Sequence, residues 1–224
     1  MIKTNTLKEV YKNIGKALNK RPKDNVTIVA VTKGFSFHAI LEAQKQGLCN
    51  IGESRVQETE QKQHAIAGKT TTHFIGRLQG NKVKKAIKLY DVIQTVHSIE
   101  LAKKINKTCL QQKQKQKIYL QINIGLDKNK QGFTSTNIME AAKKIDDFQG
   151  VQICGVMMIP PYQEINNQHR DFHKKTKNIQ LELYDKGIKN CTSVSMGMSR
   201  DYKIAIEEGA THIRLGTKLF GARQ

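Results

Sequence analysis

The stretch Val26-Thr27-Ile28-Val29-Ala30-Val31-Thr32, followed directly by Lys33, decides how this chain is read. Every position in it except Ala30 is β-branched, the composition of a strand covered on both faces, as in a parallel sheet flanked by helices. Lys33 then stands at the carboxyl end of that strand. In parallel α/β folds this is the edge where βα loops and helix N-termini converge and where ligands bind. A lysine placed there can form a Schiff base with an aldehyde. The plainer reading is that Lys33 only carries the chain out into solvent, which holds for most lysines in so lysine-rich a chain. The rest of the sequence has to decide between the two.

At 224 residues the chain is long enough for the core of one barrel-sized domain. It has 3 prolines and no Gly/Ser-rich stretch, so no linker is evident and residues 1–224 read as a single domain. Cys49, Cys109, Cys154 and Cys191 lie far apart with no CxxC pair. That is neither a zinc spacing nor a disulfide framework, and it suits a reducing cytoplasm. The opening residues Met1 to Asn5 lack the apolar segment of an export signal, and no apolar run is long enough to span a bilayer. A soluble, cytoplasmic protein is expected.

An excess of 38 Lys and Arg over 19 Asp and Glu leaves a net charge of +19, enough to draw nucleic acid or an anionic membrane surface. A basic RNA-binding module is therefore one alternative. The lysines are spread over the whole length, however, and the densest run, Gln111 to Lys117, has no aromatic residue on which a base could stack. There is no Trp and no RNP-type aromatic cluster. Nucleic-acid binding ranks below a small-anion role, and no membrane association is expected.

An amphipathic pattern over residues 6–20, with Leu7, Val10, Tyr11, Ile14, Ala17 and Leu18 on one stripe, predicts a helix ahead of the first strand. Beyond Lys33, Ser36 is placed to cap a helix that carries Ala39, Ile40 and Ala43 and ends at Gly47. Strand-like runs follow at residues 48–51, 73–75, 91–96, 117–124, 151–157, 191–195 and 212–215, which with the first makes eight. Helical patterns lie between them at residues 53–67, 79–89, 98–111, 136–147, 166–186 and 199–208, the last behind a capping Ser199. Strict alternation predicts an α/β fold, a single (β/α)8 TIM barrel with an extra N-terminal helix. A flavodoxin-like sheet needs fewer strands and leaves the last third of the chain without a place.

Strand seven ends in Ser195-Met196-Gly197-Met198-Ser199 and strand eight in Arg214-Leu215-Gly216-Thr217. In barrels the loops after these two strands frequently hold a phosphate, using backbone N–H groups, a close-approach glycine and a helix N-terminus. Capping for Ser199 and a tight turn for Gly216 are the alternatives taken singly; together, at matching positions of adjacent strands, they favour the phosphate. Arg214 stands in an otherwise apolar strand, where a buried arginine needs either a structural carboxylate or a ligand. Strand alternation puts it on the side of Gly216. The stretch Gly76 to Lys82 lacks P-loop spacing, and no Ser or Thr follows Lys82, so it reads as a strand-to-helix turn. His169 and His173 are spaced i,i+4 without the glutamate of a metalloprotease helix, so surface or core histidines are expected and no metal.

Seven stretches in order resemble the pyridoxal 5′-phosphate homeostasis protein family: Val29 to Lys33, Ile51-Gly52-Glu53-Ser54-Arg55-Val56-Gln57-Glu58, His73 to Lys82 with its Gly76-Arg77-Leu78-Gln79-Gly80-Asn81-Lys82, Gln121 to Ile124, Gly155 to Pro160, Ser195 to Ser199, and Arg214 to Gly221. They cover the chain nearly end to end. The resemblance implies a barrel like the N-terminal domain of alanine racemase, with pyridoxal 5′-phosphate (PLP) held as a Schiff base on Lys33. It further implies Ser199, Gly216 and Thr217 on the phosphate, together with Met196 and Gly197 of the same loop, and Arg214 at the pyridine nitrogen. Three departures stand out. Where the family has Gly-Glu-Asn-Tyr this chain has Gly52-Glu53-Ser54-Arg55, so a contact to the ring falls to Ser54. Lys128 replaces an acidic residue in Asp127 to Gly132, and Arg200 adds a positive charge between Ser199 and Asp201.

The function implied is intracellular PLP homeostasis, a carrier without strong catalysis that serves apo PLP-dependent enzymes and works as a monomer. The enzyme alternative is a PLP-dependent amino-acid racemase. Racemases of this fold use a second base supplied by a further domain, for which this sequence has no segment, and an arginine at the pyridine nitrogen weakens the ring as an electron sink.

Overall fold

Eight parallel strands close into a barrel, each paired with the next in sequence and the last with the first. They are β1 (Thr27–Val31), β2 (Asn50–Glu53), β3 (Thr71–Phe74), β4 (Val92–Val96), β5 (Gln116–Ile122), β6 (Val151–Met158), β7 (Ser193–Met198) and β8 (His212–Leu215). Outside them run α1 (Thr4–Leu18) ahead of β1, then α2 (His38–Lys45), α3 (Val56–Lys62), α4 (Val83–Leu89), α5 (Ile99–Gln111), α6 (Ile138–Asp146), α7 (Asn167–Asp185), α8 (Tyr202–Glu207) and the short α9 (Thr217–Phe220). The computed structural model describes residues 2, 4–19, 25–161 and 167–222. The expected TIM barrel with a leading helix is the fold found. Pairing of β1 with β8, from Thr27 opposite His212 to Ala30 opposite Leu215, excludes the open flavodoxin-like sheet.

Where element bounds differ from the sequence reading, local ties explain the shift. Leu48 is still bound to α2, its N–H donating to Ala43 O (2.9 Å) past the left-handed Gly47 (φ +75°), so β2 starts later, at Asn50. Glu53 belongs to β2, and α3 therefore opens only at Val56 and ends in the 3₁₀ turn Gln63–Ala65. The helix expected from residue 79 begins as the 3₁₀ turn Gly80–Lys82. Ser36 does not cap α2 with its side chain; its Oγ lies 3.3 Å from His38 Nδ1 while its carbonyl takes the Ala39 N–H. Nor does Ser199 cap the following helix, which begins at Tyr202. Its Oγ instead accepts from the Lys218 N–H (3.1 Å) at the start of α9, a helix too short to show a period in sequence. Lys20 and Asn166, the expected ends of two helices, lie outside the described residues.

Helix α1 buries Leu7, Val10, Ile14 and Ala17, but Tyr11, read as part of the same stripe, is exposed. Asn13 Nδ2 donates to Tyr202 Oη (2.9 Å) on α8, and Lys218 Nζ meets Glu9 at 3.0 Å, so α1 is tied to the elements flanking β8. Between the sheet and its helices lies the apolar layer, with Ile51, Phe74, Ile93, Ile118, Leu120 and Ile153 fully buried. The barrel interior is mixed. A small apolar cluster of Val92, Tyr119 and Met157 sits beside the buried polar residues His73, Gln94, Ser195 and Arg214.

One buried pair fixes the turn between β7 and α8. His173 of α7 is fully buried and its Nε2 lies 3.0 Å from Asp201 Oδ2, while Asp201 Oδ1 accepts the Met198 N–H (2.7 Å). Burial alone would raise the Asp201 pKa, but the hydrogen bonds from His173 and Met198 outweigh it and the pKa falls below the ordinary 3.8. The folded state thus binds this proton less readily than the unfolded chain does. Stability from Asp201 is fully present above about pH 4 and is lost as pH falls through the folded pKa. Urea midpoints measured from pH 2 to 6 should fall more steeply toward acid in the wild type than in Asp201→Asn; coincident acid limbs would mean the pair contributes nothing.

Two glycines make opposite predictions. At Gly155, paired with Ser193 across β6 and β7, an added Cβ would lie 2.3 Å from Ser193 O, so Gly155→Ala should lower stability by about 1–3 kcal/mol. Gly15, exposed within α1, has nothing within 4 Å of such a Cβ, and Gly15→Ala should raise stability by about 0.5–1 kcal/mol. Equilibrium urea unfolding of the two variants reads both signs.

Candidate functional site

A cavity of about 440 Å³ opens at the carboxyl ends of the strands. Lys33 stands on one wall, just past β1, with Val31 beneath it; Arg214 and Gly216 of the neighbouring β8 end come next, then Thr217. Met198, Ser199, Arg200 and Asp201 follow from the end of β7, and Lys130, Ile159, Pro160, Pro161 and His169 form the far wall. The position read for Lys33 from seven residues of strand is therefore where the chain puts it, at the mouth and half-buried.

The backbone on either side of Lys33 is clamped by a buried charge cluster. Lys62 Nζ on α3 donates to Thr32 O (2.9 Å), to Glu53 Oε1 (2.9 Å) and to Glu58 Oε1 (2.6 Å). Thr32 Oγ1 donates to the same Glu53 oxygen (2.7 Å), and the Gly34 N–H donates to Glu58 Oε1 (2.6 Å). Residues 32 and 34 are thus both fixed to one ion cluster, leaving the lysine between them at a set height. Burial raises the Glu53 pKa. At Glu58, burial is outweighed by the hydrogen bonds from Lys62 and Gly34, and the pKa falls. Glu53 Oε2 is buried without a partner among the described residues.

Arg214 is 4% exposed and, among the described residues, reaches no structural carboxylate by hydrogen bond. Its Nη1 donates to Ser195 Oγ (2.8 Å) and its Nη2 to Met158 O (2.8 Å). Burial takes its pKa down to about 10, with the Asp201 charge opposing, so it stays a cation at neutral pH. Facing it across the turn, Ser199 Oγ holds the Lys218 N–H and keeps its own proton to donate, which joins the β7 and β8 loops into one rim.

Of the residues singled out in the sequence, Lys33, Ser199, Arg214, Gly216 and Thr217 come together on this cavity. Met196 does not line it; it is fully buried in the hydrophobic core because the strand turns it outward beneath the helices. Gly197 (φ +87°) lies behind the rim, where a Cβ would meet Ala205 Cβ at 2.5 Å, so its part is to let α8 approach β7. Ser54 at the end of β2 is outside the lining too; its carbonyl lies where a Cβ on Gly76 would sit, at 2.1 Å. Residues the sequence did not single out are Lys62, Lys130 and Met198. Only Glu58 and Lys62, spaced i,i+4 on α3, left a local signal, and such a pair reads as solvent-facing. Of the two histidines, His169 lines the cavity while His173 serves Asp201.

The family model for the alanine racemase N-terminal domain matches residues 4–224. A pyridoxal phosphate homeostasis protein of Aquifex aeolicus is 34% identical over 221 residues, covering 97% of each chain. The solved structure of PipY from Synechococcus elongatus with PLP bound is 32% identical, with a TM-score of 0.82 over 93% of this chain and 100% of that one. Alanine racemase of Clostridium difficile shares the fold, with a TM-score of 0.78 at 18% identity over 99% of this chain and 60% of its own. With motifs, barrel and relatives in agreement from end to end, this chain belongs to the alanine racemase N-terminal domain family and, within it, to the pyridoxal phosphate homeostasis proteins.

Proposed function

We propose that this chain is a one-domain, monomeric, cytoplasmic PLP carrier that keeps the cofactor available to apo-enzymes, with Lys33 as its covalent anchor. The observation that carries the reading is the meeting on one cavity of an amine, a buried cation and a hydroxyl-bearing rim, the three groups an aldehyde, a pyridine nitrogen and a phosphate ester call for. Bound there, PLP supplies an aldehyde that condenses with a lysine amine, losing one water, and a ring that accepts electrons. Lys33 provides the amine. Ser199, Gly216 and Thr217 hold the phosphate. Arg214, which can only donate, meets the ring nitrogen as a hydrogen-bond donor and leaves it unprotonated. All four cysteines are free, in keeping with a reducing compartment, and no described helix is long and apolar enough to cross a membrane.

Borohydride reduction of the PLP-loaded protein should attach the cofactor to the peptide containing Lys33, and Lys33→Ala should lose the visible absorbance while keeping its urea midpoint, since the amine fills no core. Label on any other lysine sinks the assignment.

Catalysis at an amino-acid α-carbon needs a base within hydrogen-bond reach and a good electron sink. Arg214 opposes the second, and Lys130, the other lysine in the cavity wall, donates to Pro160 O (2.6 Å). One observation favours the racemase reading instead: His169 lines the cavity with its Nδ1 buried and unpartnered among the described residues. Incubation with L-alanine and other amino acids in deuterium oxide separates the two. Slow or no α-deuteration is expected, whereas rapid exchange lost in both Lys33→Ala and His169→Ala would make this chain an enzyme.

A further inference from the structure

Five polar side chains stand in file through the barrel, from the cavity to the amino end of β2. Arg214 Nη1 donates to Ser195 Oγ (2.8 Å) and Ser195 Oγ to Gln94 Oε1 (2.7 Å). Gln94 Nε2 then donates to His73 Nδ1 (2.9 Å), whose Nε2 donates to Asn50 Oδ1 (3.0 Å). The direction of the file is dictated at its head. A guanidinium has no acceptor, so Ser195 Oγ accepts from it and turns its own proton to Gln94. An amide NH₂ only donates, so His73 Nδ1 accepts and the ring proton sits on Nε2. Burial, aided by His212, takes the His73 pKa down to about 3, so the ring stays neutral and carries one proton, leaving one nitrogen an acceptor. The links join β8, β7, β4, β3 and β2, so no single element's periodicity produced them.

The file answers a problem that Arg214 poses. It is a buried cation, and Asp201, the acid whose charge acts on it, is already bound to His173 and to the Met198 N–H. Neutral acceptors must hold it, and in a low-dielectric interior a chain of hydrogen bonds pointing one way strengthens each of its members. We propose that Ser195 and Gln94 are positioning residues for the cofactor: through this one-directional file they fix the guanidinium of Arg214 at the cavity wall as a charged donor aimed at an unprotonated aromatic nitrogen, that of the PLP ring. The inference rests on the PLP reading of the cavity, and it assigns work to two side chains that the ligand never touches.

The test uses Ser195→Ala, Gln94→Leu and, as the conservative control, Ser195→Thr. PLP affinity is measured by titration, inorganic phosphate affinity by competition, and the His73 ring nitrogens by ¹⁵N NMR on the cofactor-free protein. The first two variants should bind PLP roughly tenfold or more weakly, the worth of one hydrogen bond to a charged group. Ser195→Thr should recover most of that loss, phosphate should bind all four proteins equally, and wild-type His73 should carry its proton on Nε2 alone at neutral pH. Unchanged PLP affinity in Ser195→Ala and Gln94→Leu overturns the inference. So does a parallel loss of PLP and phosphate affinity, which would mean a general loosening of the mouth, or a His73 proton on Nδ1. Wild-type uptake separates the two failures: no PLP bound by the wild type refutes the function proposed above, whereas normal uptake with indifferent variants refutes only the file.

Discussion

The pairing of β1 with β8 is the constraint on which the rest of this molecule depends. It is fixed by register, with Ala30 opposite Leu215, so that the chain leaves both strands at one level. Lys33 emerges from one strand while Gly216 and Thr217 emerge from the other, although nearly the whole chain lies between them. Closure at this seam is what turns two distant segments into one wall. It also explains why α1 is bound to α8 and α9 through Asn13 and Glu9: the helix that precedes β1 buttresses the strand that follows last. Non-local pairing of this kind is intrinsically slow, because loop entropy must be overcome before the contact rewards it.

Two cations are buried beside that seam, and the chain satisfies them in different ways. Lys62 takes two carboxylates and a carbonyl, a compact cluster whose other effect is to hold residues 32 and 34. Removing one member of such a cluster leaves charge uncompensated in a dry place, typically at about 3–5 kcal/mol. Arg214, among the described residues, takes neutral acceptors only. A carboxylate in its place would form an ion pair and neutralise the cation toward any ligand, whereas a hydroxyl and a carbonyl orient it and leave its charge to act on the cavity. The interior apolar cluster of Val92, Tyr119 and Met157 supplies the dry surroundings in which such orientation matters.

Much of this was legible in the sequence because its signals are local. The β-branched run before Lys33 and the polar interruption of an apolar strand at Arg214 each need only their own neighbours to be read, and closure of eight such units follows from their number. Ser199 shows where locality fails. The residue sits where an N-cap would, but the space beside β8 gives its hydroxyl a nearer donor in Lys218, and a tertiary contact displaced the capping pattern. The part Lys62 plays is hidden for a related reason: Thr32, one of its partners, is 30 positions away, and the local pairing with Glu58 reads as solvent-facing. Gln94 looks like a flaw in a strand until Ser195, 101 positions on, is brought beside it. Tyr11 failed in the opposite sense, as an apolar face can turn an aromatic ring outward at its margin and leave it half-covered.

On the function proposed above, the arrangement favours holding a cofactor over using one. Phosphate contacts at the rim would be the same whether or not bonds at the α-carbon of a bound amine are changing, and interactions equal in ground and transition states increase affinity without increasing the chemical rate. Arg214 adds to this. With PLP bound as proposed, a donor held charged and in place would keep the ring nitrogen an acceptor, and the ring would draw electrons less than a pyridinium does. Lys33 is half-buried in the cavity mouth and flanked by clamped backbone, so its attachment to the cofactor, as proposed, would stand at the mouth and not inside the barrel. On the function proposed above, fixed, state-independent contacts and attachment through one lysine at the mouth would give the protein the physical form of a reservoir.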